Sequence, residues 1–146
     1  MNEAMRPFCA TIRVRYAEID KLGIAYNSHY LAWFEVGRTD LLRHFGLTYV
    51  DLEKNGLHLP LNEAGIKYLK PAYYDDVLTI MCTVKQKPGV RVRIEYQVLK
   101  DDDTIATGFT EHAFTDGDLK PVRPPREIRN MMLAIWEQSQ NIEKLS

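Results

Sequence analysis

The spacing of hydrophobic and polar residues predicts several β-strands. Residues 9–16 alternate, with Ile12, Val14 and Tyr16 on one face, which is typical of a half-buried strand. Further extended or alternating segments are predicted at 58–70, 77–87, 91–99 and 104–115. Turn-forming residues separate the later segments, so we expect consecutive strands joined by hairpins.

Other parts of the chain have the period of a helix. From Ser28 onward apolar residues recur at steps of three and four, which predicts a long amphipathic helix. Its apolar stripe contains Tyr30, Trp33, Phe34, Gly37, Leu41 and Phe45. Asn27 and Ser28 are favourable N-cap residues, and Gly46 is typical of a helix end. A short helical turn is predicted at 48–56, and a C-terminal helix with Pro125 in its first turn.

This order of elements predicts an α+β domain. Hairpin-linked strands form an antiparallel sheet, and the aromatic stripe of the long helix must be buried against it. We expect a curved antiparallel sheet of about five strands wrapped around the long helix, followed by the C-terminal helix. A flat two-layer α+β sandwich fits the same pattern and stays open.

Length and composition add limits to this interpretation. The chain of 146 residues is expected to form one domain, 1–146, and its formal charge of -1 selects neither nucleic acid nor an anionic membrane. Cys9 and Cys82 show neither metal-binding nor disulfide spacing. No apolar run is long enough for a membrane span, and the first residues lack a signal-peptide core. We therefore expect a cytoplasmic protein.

Asp20 is the main candidate for chemistry. It precedes Gly23, which lets the chain turn back, and lies close in sequence to the start of the long helix. The first turn of a helix has unpaired N–H groups and a partial positive charge, and can stabilise an oxyanion. A carboxylate beside such donors could attack an acyl carbon or deprotonate a water. Alternatively, Asp20 only caps the helix or the turn before it.

Three motifs together resemble one family. Residues 20–30 (DKLGIAYNSHY) with 34–42 (FEVGRTDLL), residues 68–78 (YLKPAYYDDVL) and residues 116–125 (DGDLKPVRPP) are similar to the hotdog-fold acyl-CoA thioesterases, in the branch typified by 4-hydroxybenzoyl-CoA thioesterase. The resemblance covers roughly residues 9–126. It implies a hotdog fold and hydrolysis of an acyl-CoA to a carboxylic acid and free coenzyme A.

The resemblance also implies roles for individual residues. Asp20 would be the nucleophile or general base, and the backbone N–H of Asn27 would polarise the thioester carbonyl. The expected substrate contacts around them are Gly23, Tyr26, Ser28, His29 and Tyr30. His29 could instead face a neighbouring subunit. No cofactor is implied, since coenzyme A belongs to the substrate, and the scattered histidines do not predict a metal site.

A basic strip is predicted near the hairpin before residue 91. Lys87, Arg91 and Arg93 could bind the phosphates of coenzyme A, as the equivalent region does in the family, or could form a solvated face. The resemblance further implies a homodimer formed by edge-to-edge joining of two sheets, or a tetramer of such dimers, because isolated sheet edges invite pairing.

Two other functions stay open at this stage. A hotdog hydratase or dehydratase would need an Asp and a His closer together than Asp20 and His29, or a His at a proline-containing loop. A non-catalytic acyl-thioester-binding protein would gain nothing from a charged group beside an ester carbonyl. The carrier, coenzyme A or an acyl carrier protein, and the choice between covalent and general-base hydrolysis also stay open.

Overall fold

The computed structural model describes residues 7–143. In chain order the strands and helices are β1 (Phe8–Arg13), α1 (His29–His44), α2 (Tyr49–Lys54), β2 (Leu61–Tyr68), β3 (Val77–Thr83), β4 (Arg91–Lys100), β5 (Asp103–Ala113) and α3 (Arg126–Glu143). A single 3-10 turn, Tyr16–Glu18, follows β1. The predicted order of elements is therefore confirmed; four of the five strands are shorter than the sequence pattern indicated, and β4 extends one residue further, to Lys100.

The five strands form one antiparallel sheet in the order β1-β3-β4-β5-β2. Strands β3, β4 and β5 are joined by hairpins as predicted. The expectation of a hairpin between β2 and β3 is wrong, because β2 pairs with β5 and lies at the opposite edge from β1. The chain after β2 must therefore cross to the other half of the sheet before β3 begins.

Helix α1 packs against the inner face of this sheet. The predicted stripe is buried from Tyr30 to Leu41, and Phe45 is half-buried at its end. A Cβ on Gly37 would lie only 2.8 Å from Ile80 Cγ2 and from Cys82 Sγ, so glycine allows the helix to approach β3 closely. The phenyl ring of Phe34 stacks on Tyr96 of β4 with 4.2 Å between centroids. The sheet curves around α1, which confirms the hotdog arrangement over the flat sandwich.

The predicted burial of Tyr16 is wrong. Strand β1 ends at Arg13, and Val14 is the last residue to follow its alternation into the core. The 3-10 turn that follows leaves Tyr16 79% exposed and buries Glu18 instead. A period of two holds only while the chain is extended, so the sequence pattern placed the wrong side chain inside.

Helix α3 closes the core beside β3. Ile128, Met132 and Ile135 are buried, and the Ser139 hydroxyl accepts a hydrogen bond of 2.9 Å from the Val84 N–H. Within residues 7–143, no helix is both long and apolar enough to cross a membrane.

Candidate active site

The loop that contains Asp20 is a tight turn held by its own backbone. The N–H of Asp20 donates to Ile24 O and the N–H of Gly23 donates to Asp20 O, each at 3.0 Å. Gly23 has φ +81°, a left-handed conformation that glycine adopts without strain. The sequence-based role of Gly23 in shaping this loop therefore agrees with its backbone conformation.

The Asp20 side chain is half-buried, and only one of its two carboxylate oxygens accepts a hydrogen bond from the described residues. Its Oδ1 accepts a hydrogen bond of 2.8 Å from the Leu22 N–H, so Asp20 caps its own turn and not helix α1. Its Oδ2 accepts no hydrogen bond from residues 7–143. One carboxylate oxygen therefore holds the turn while the other can act on a ligand.

The N-terminus of α1 is left uncapped by side chains. Ser28 occupies the N-cap position, but its backbone is helical and its hydroxyl makes no capping hydrogen bond, which corrects the expected capping by Asn27 or Ser28. The backbone N–H groups of Asn27 and Ser28 also have no acceptor among the described residues. These donors, and the positive end of the helix dipole, are available to an incoming oxygen atom.

A cavity of about 590 Å³ is lined by residues of both the Asp20 loop and the start of α1. It is lined by Asp20, Leu22, Ile24, Ala25, Tyr26, Asn27, Tyr30, Tyr68, Leu69, Lys70 and Pro71. The structure thus brings together four of the predicted site residues: Asp20, Asn27, Tyr26 and Tyr30. The remaining three of the first cluster, Gly23, Ser28 and His29, lie in the adjoining loop and first helical turn without lining the cavity.

Aromatic side chains form much of the cavity wall. Tyr30 is buried, and its ring contacts Trp33 at 4.4 Å between centroids and Tyr68 edge-on at 4.9 Å. Burial raises the pKa of the Tyr30 phenol, which keeps it protonated. Tyr26 is 49% exposed and meets the half-buried His29 ring edge-on at 6.5 Å. His29 is therefore a neighbour of a cavity-lining ring and does not itself line the cavity.

Glu18 is a structural residue of the site that the sequence analysis missed. Its side chain is buried and accepts hydrogen bonds from the Arg15 N–H at 2.8 Å and the Trp33 indole at 2.9 Å, while its carbonyl accepts from the Tyr26 N–H. Burial raises the pKa of Glu18, but these hydrogen bonds and the nearby Arg15 guanidinium outweigh burial and hold the pKa below its usual value. Glu18 therefore fastens the Asp20 loop to α1. A glutamate directly before an apolar residue gives no sequence signal of this kind.

Tyr68 is the second missed residue. From the end of β2 its hydroxyl donates a hydrogen bond of 3.0 Å to the carbonyl of Asn27. In the sequence Tyr68 stands out only as the first residue of a motif, because nothing local shows which segment β2 will lie beside.

The predicted basic strip is outside this cavity. The Nζ of Lys87 lies 5.8 Å from the Trp136 ring centroid, near helix α3, and Arg91 is exposed at the start of β4. Arg93 stacks on Phe109 with 3.9 Å from its guanidinium carbon to the ring centroid. It lines a separate cavity of about 690 Å³ on the outer face of the sheet. In a single chain the strip therefore makes no contact with the Asp20 cavity, and its role stays a prediction.

A second group of polar side chains is buried in the core. The hydroxyls of Tyr96 and Thr110 are 2.6 Å apart, and His112 Nε2 lies 2.8 Å from Thr110 Oγ1. His112 Nδ1 lies 3.2 Å from the carbonyl oxygen of Leu59. None of these residues lines the Asp20 cavity, and the described residues contain no cluster of possible metal ligands.

Comparison with known proteins adds independent information. The sequence model of the thioesterase-like superfamily matches residues 14–133. A Bacillus subtilis protein, YneP, is 38% identical over 114 residues, which are 77% of this chain and 83% of that protein. The acyl-CoA thioesterase YbgC of Haemophilus influenzae is 29% identical over 84% of this chain and 91% of its own length. The structure of a DHNA-CoA thioesterase from Staphylococcus aureus superposes with a TM-score of 0.83 at 29% identity, covering 94% of this chain and 93% of that one.

Proposed function

The chain belongs to the thioesterase-like superfamily, and from that premise we propose that it hydrolyses acyl-CoA thioesters to a carboxylic acid and free coenzyme A. One observation supports this proposal most directly. Asp20, with a carboxylate oxygen that has no partner among the described residues, and Asn27, with an unpaired N–H, line the same cavity, and the unpaired N–H of Ser28 adjoins it. These are the base or nucleophile and the oxyanion donors that acyl transfer requires.

The reaction would proceed by addition and elimination at the thioester carbon. The Asn27 N–H donates to the carbonyl oxygen and stabilises the negative charge that develops on it. Asp20 Oδ2 either removes a proton from a water molecule as that water attacks, or attacks the carbon itself to form an anhydride that water then hydrolyses. Collapse of the tetrahedral intermediate breaks the carbon–sulfur bond, and the coenzyme A thiolate takes up a proton.

The cavity provides a place for the acyl group. Tyr26, Tyr30 and Leu69 supply apolar surface next to the carboxylate, which suits the packing of an acyl group. No cofactor enters this scheme, since coenzyme A is part of the substrate. Cys9 and Cys82 are free thiols, consistent with a reducing compartment, and we place the reaction in the cytoplasm.

We further propose that two chains join through β2 into a homodimer, which could stack into a tetramer. Strand β2 is a sheet edge in the single chain and none of its residues is buried. Its last residue, Tyr68, and the following Leu69 are exposed hydrophobic side chains. Such an edge is a template for pairing with another strand. Light scattering at micromolar concentration should give the mass of a dimer or tetramer. A monodisperse monomer with full activity contradicts this assembly.

The proposed activity is tested by release of free thiol. The purified protein is incubated with aliphatic and aromatic acyl-CoAs, and coenzyme A is detected with a thiol reagent. We expect release from at least one substrate class above the rate without protein. If acyl-CoAs bind but no thiol is released from any of them, the protein is an acyl-thioester binder. Loss of the double bond of an enoyl-CoA without thiol release indicates a hydratase.

A further inference from the structure

The hydrogen bond between Tyr68 and Asn27 connects the sheet edge to the start of α1. The hydroxyl of Tyr68 lies 3.0 Å from the Asn27 carbonyl oxygen, and the two residues are 41 positions apart in the chain. The same carbonyl also accepts a longer hydrogen bond, 3.4 Å, from the Tyr30 N–H. Edge-on contact with Tyr30 holds the Tyr68 ring in place.

The Asn27 carbonyl belongs to a peptide group whose N–H can also act as a hydrogen-bond donor. The carbonyl of Asn27 and the N–H of Ser28 are the two ends of one planar peptide unit, so fixing the direction of the carbonyl fixes the direction of the N–H. A hydrogen bond received by a peptide oxygen also polarises the unit and strengthens its N–H as a donor. The Ser28 N–H has no acceptor among the described residues.

We propose that Tyr68 is a positioning residue for thioester hydrolysis, because its hydroxyl aims and polarises the Asn27–Ser28 peptide group so that the Ser28 N–H becomes a second donor to the thioester oxygen beside the Asn27 N–H. This inference rests on the proposed thioesterase function. It assigns the oxyanion site two adjacent backbone donors, one of them controlled by a side chain from another element.

The surroundings of Tyr68 suit this role. Burial raises the pKa of its phenol, so the hydroxyl is protonated at neutral pH and donates to the carbonyl. In the single chain Tyr68 is 48% exposed and Asn27 is exposed, so loss of the hydroxyl opens no cavity in the core. Removal of the hydroxyl should therefore change the orientation of the Asn27–Ser28 peptide group far more than it changes the free energy of unfolding.

The first experiment compares Tyr68→Phe with Tyr74→Phe. The control removes a hydroxyl from another exposed tyrosine, 57% exposed and outside the cavity. With the best acyl-CoA substrate, we expect Tyr68→Phe to lower kcat about 10-fold and to change KM less than about 2-fold, since the lost stabilisation belongs to the transition state. Tyr74→Phe should match the parent in both constants.

The second experiment separates carbonyl recognition from general binding. Two inhibitors are compared: a ketone analogue of the substrate, with a methylene in place of the thioester sulfur, and a thioether analogue that lacks the carbonyl. Tyr68→Phe should weaken the ketone several-fold more than the thioether, because only the ketone accepts a hydrogen bond from the Ser28 N–H. Equal effects on the two inhibitors contradict the proposal.

The results distinguish this inference from the function on which it depends. A parent protein that releases no thiol from any acyl-CoA refutes the proposed function. A parent that is active, with a Tyr68→Phe variant as active as Tyr74→Phe, refutes only the role of Tyr68. A raised KM with unchanged kcat also refutes that role, because it shows that Tyr68 contacts the substrate directly.

Discussion

The protein contains two groups of polar residues near α1, and they differ in how their hydrogen-bonding atoms are satisfied. In the buried core group, Leu59 O can only accept, so Nδ1 of a neutral His112 must donate to it. His112 Nε2 then accepts from the Thr110 hydroxyl, which in turn accepts from the Tyr96 hydroxyl. Each donor in this series of hydrogen bonds therefore has an acceptor within the buried group.

In the group of polar residues at the cavity, by contrast, several hydrogen-bonding atoms are unpaired within the described part of the chain. Asp20 Oδ2 and the N–H groups of Asn27 and Ser28 have no partner among the described residues, although they line or adjoin a cavity. Asn27 and Ser28 are exposed and Asp20 is half-buried, so water can satisfy these groups until a ligand replaces it. The comparison indicates that the core group stabilises the fold, and it makes the cavity group the candidate for the proposed reaction.

The strongest test of the comparison is Asp20→Asn. Asparagine can still accept the hydrogen bond from the Leu22 N–H, so the turn should persist and the free energy of unfolding should change by less than about 1 kcal/mol. The amide is neither base nor nucleophile, so kcat should fall at least roughly 100-fold with substrate binding retained.

A matched control exists for this substitution. Asp116 also caps a turn, with its Oδ1 accepting from the N–H groups of Asp118 and Lys120, but it lies outside the cavity. Asp116→Asn should leave kcat unchanged. Asp20 would be only a turn cap if both variants kept kcat within a few-fold of the parent in steady-state thiol-release assays.

The second test removes the centre of the core group. Thr110→Val keeps the shape but leaves the Tyr96 hydroxyl and His112 Nε2 without their shared partner, which should lower the free energy of unfolding by about 2 kcal/mol. Thr110→Ser keeps the hydroxyl and should lose less. Denaturant unfolding measures both variants, and the kcat of the folded fraction should not change. A large loss of kcat in Thr110→Val would show that the two groups are coupled.

The third test uses pH. Burial, together with the Arg38 charge, lowers the pKa of His112 from 6.5 to about 4. The unfolded chain therefore binds a proton between these pH values that the folded chain does not, and stability is present above pH 6.5 and is lost as pH falls toward 4. Between pH 7 and pH 5 this residue should account for a loss of roughly 1 to 2 kcal/mol.

A comparison of variants isolates the contribution of His112 to the pH dependence of stability. Unfolding at pH 7 and pH 5 is compared for the parent, for His112→Gln and for His58→Gln, which changes an exposed histidine. The dependence should be weaker in His112→Gln and retained in His58→Gln. An equal dependence in all three proteins would assign it to other groups.

The smallest expected effect concerns the basic strip, which lies outside the cavity. If the strip of Lys87, Arg91 and Arg93 binds coenzyme A phosphates in the assembled protein, Arg91→Ala should raise the KM for acyl-CoA about 3-fold and leave kcat nearly unchanged. The salt dependence of KM should also weaken. Lys54→Ala, which removes an exposed charge on α2, is the control. A KM equal to that of the control would make the strip a solvated face.

The secondary structure and the centre of the candidate site could be predicted because they depend on nearby residues. Steps of two, three and four residues follow from strand and helix geometry, and they located the strands, the helices and the buried stripe of α1. Asp20, Gly23 and Asn27 were predicted as neighbours because one short loop leads directly into α1. Fold and family followed from motifs in these same local segments.

The tertiary structure alone decided which distant segments meet. It placed β2 at the edge beside β5, brought the Tyr68 hydroxyl to the Asn27 carbonyl, buried Glu18 against Trp33 and left Arg93 on the outer face of the sheet. These contacts join residues whose local patterns do not depend on each other. Strand pairing depends on the free energy of the whole core, because every buried polar atom needs a hydrogen-bond partner and every apolar face must be buried against another element. A short segment of sequence does not contain the residues that decide this free energy.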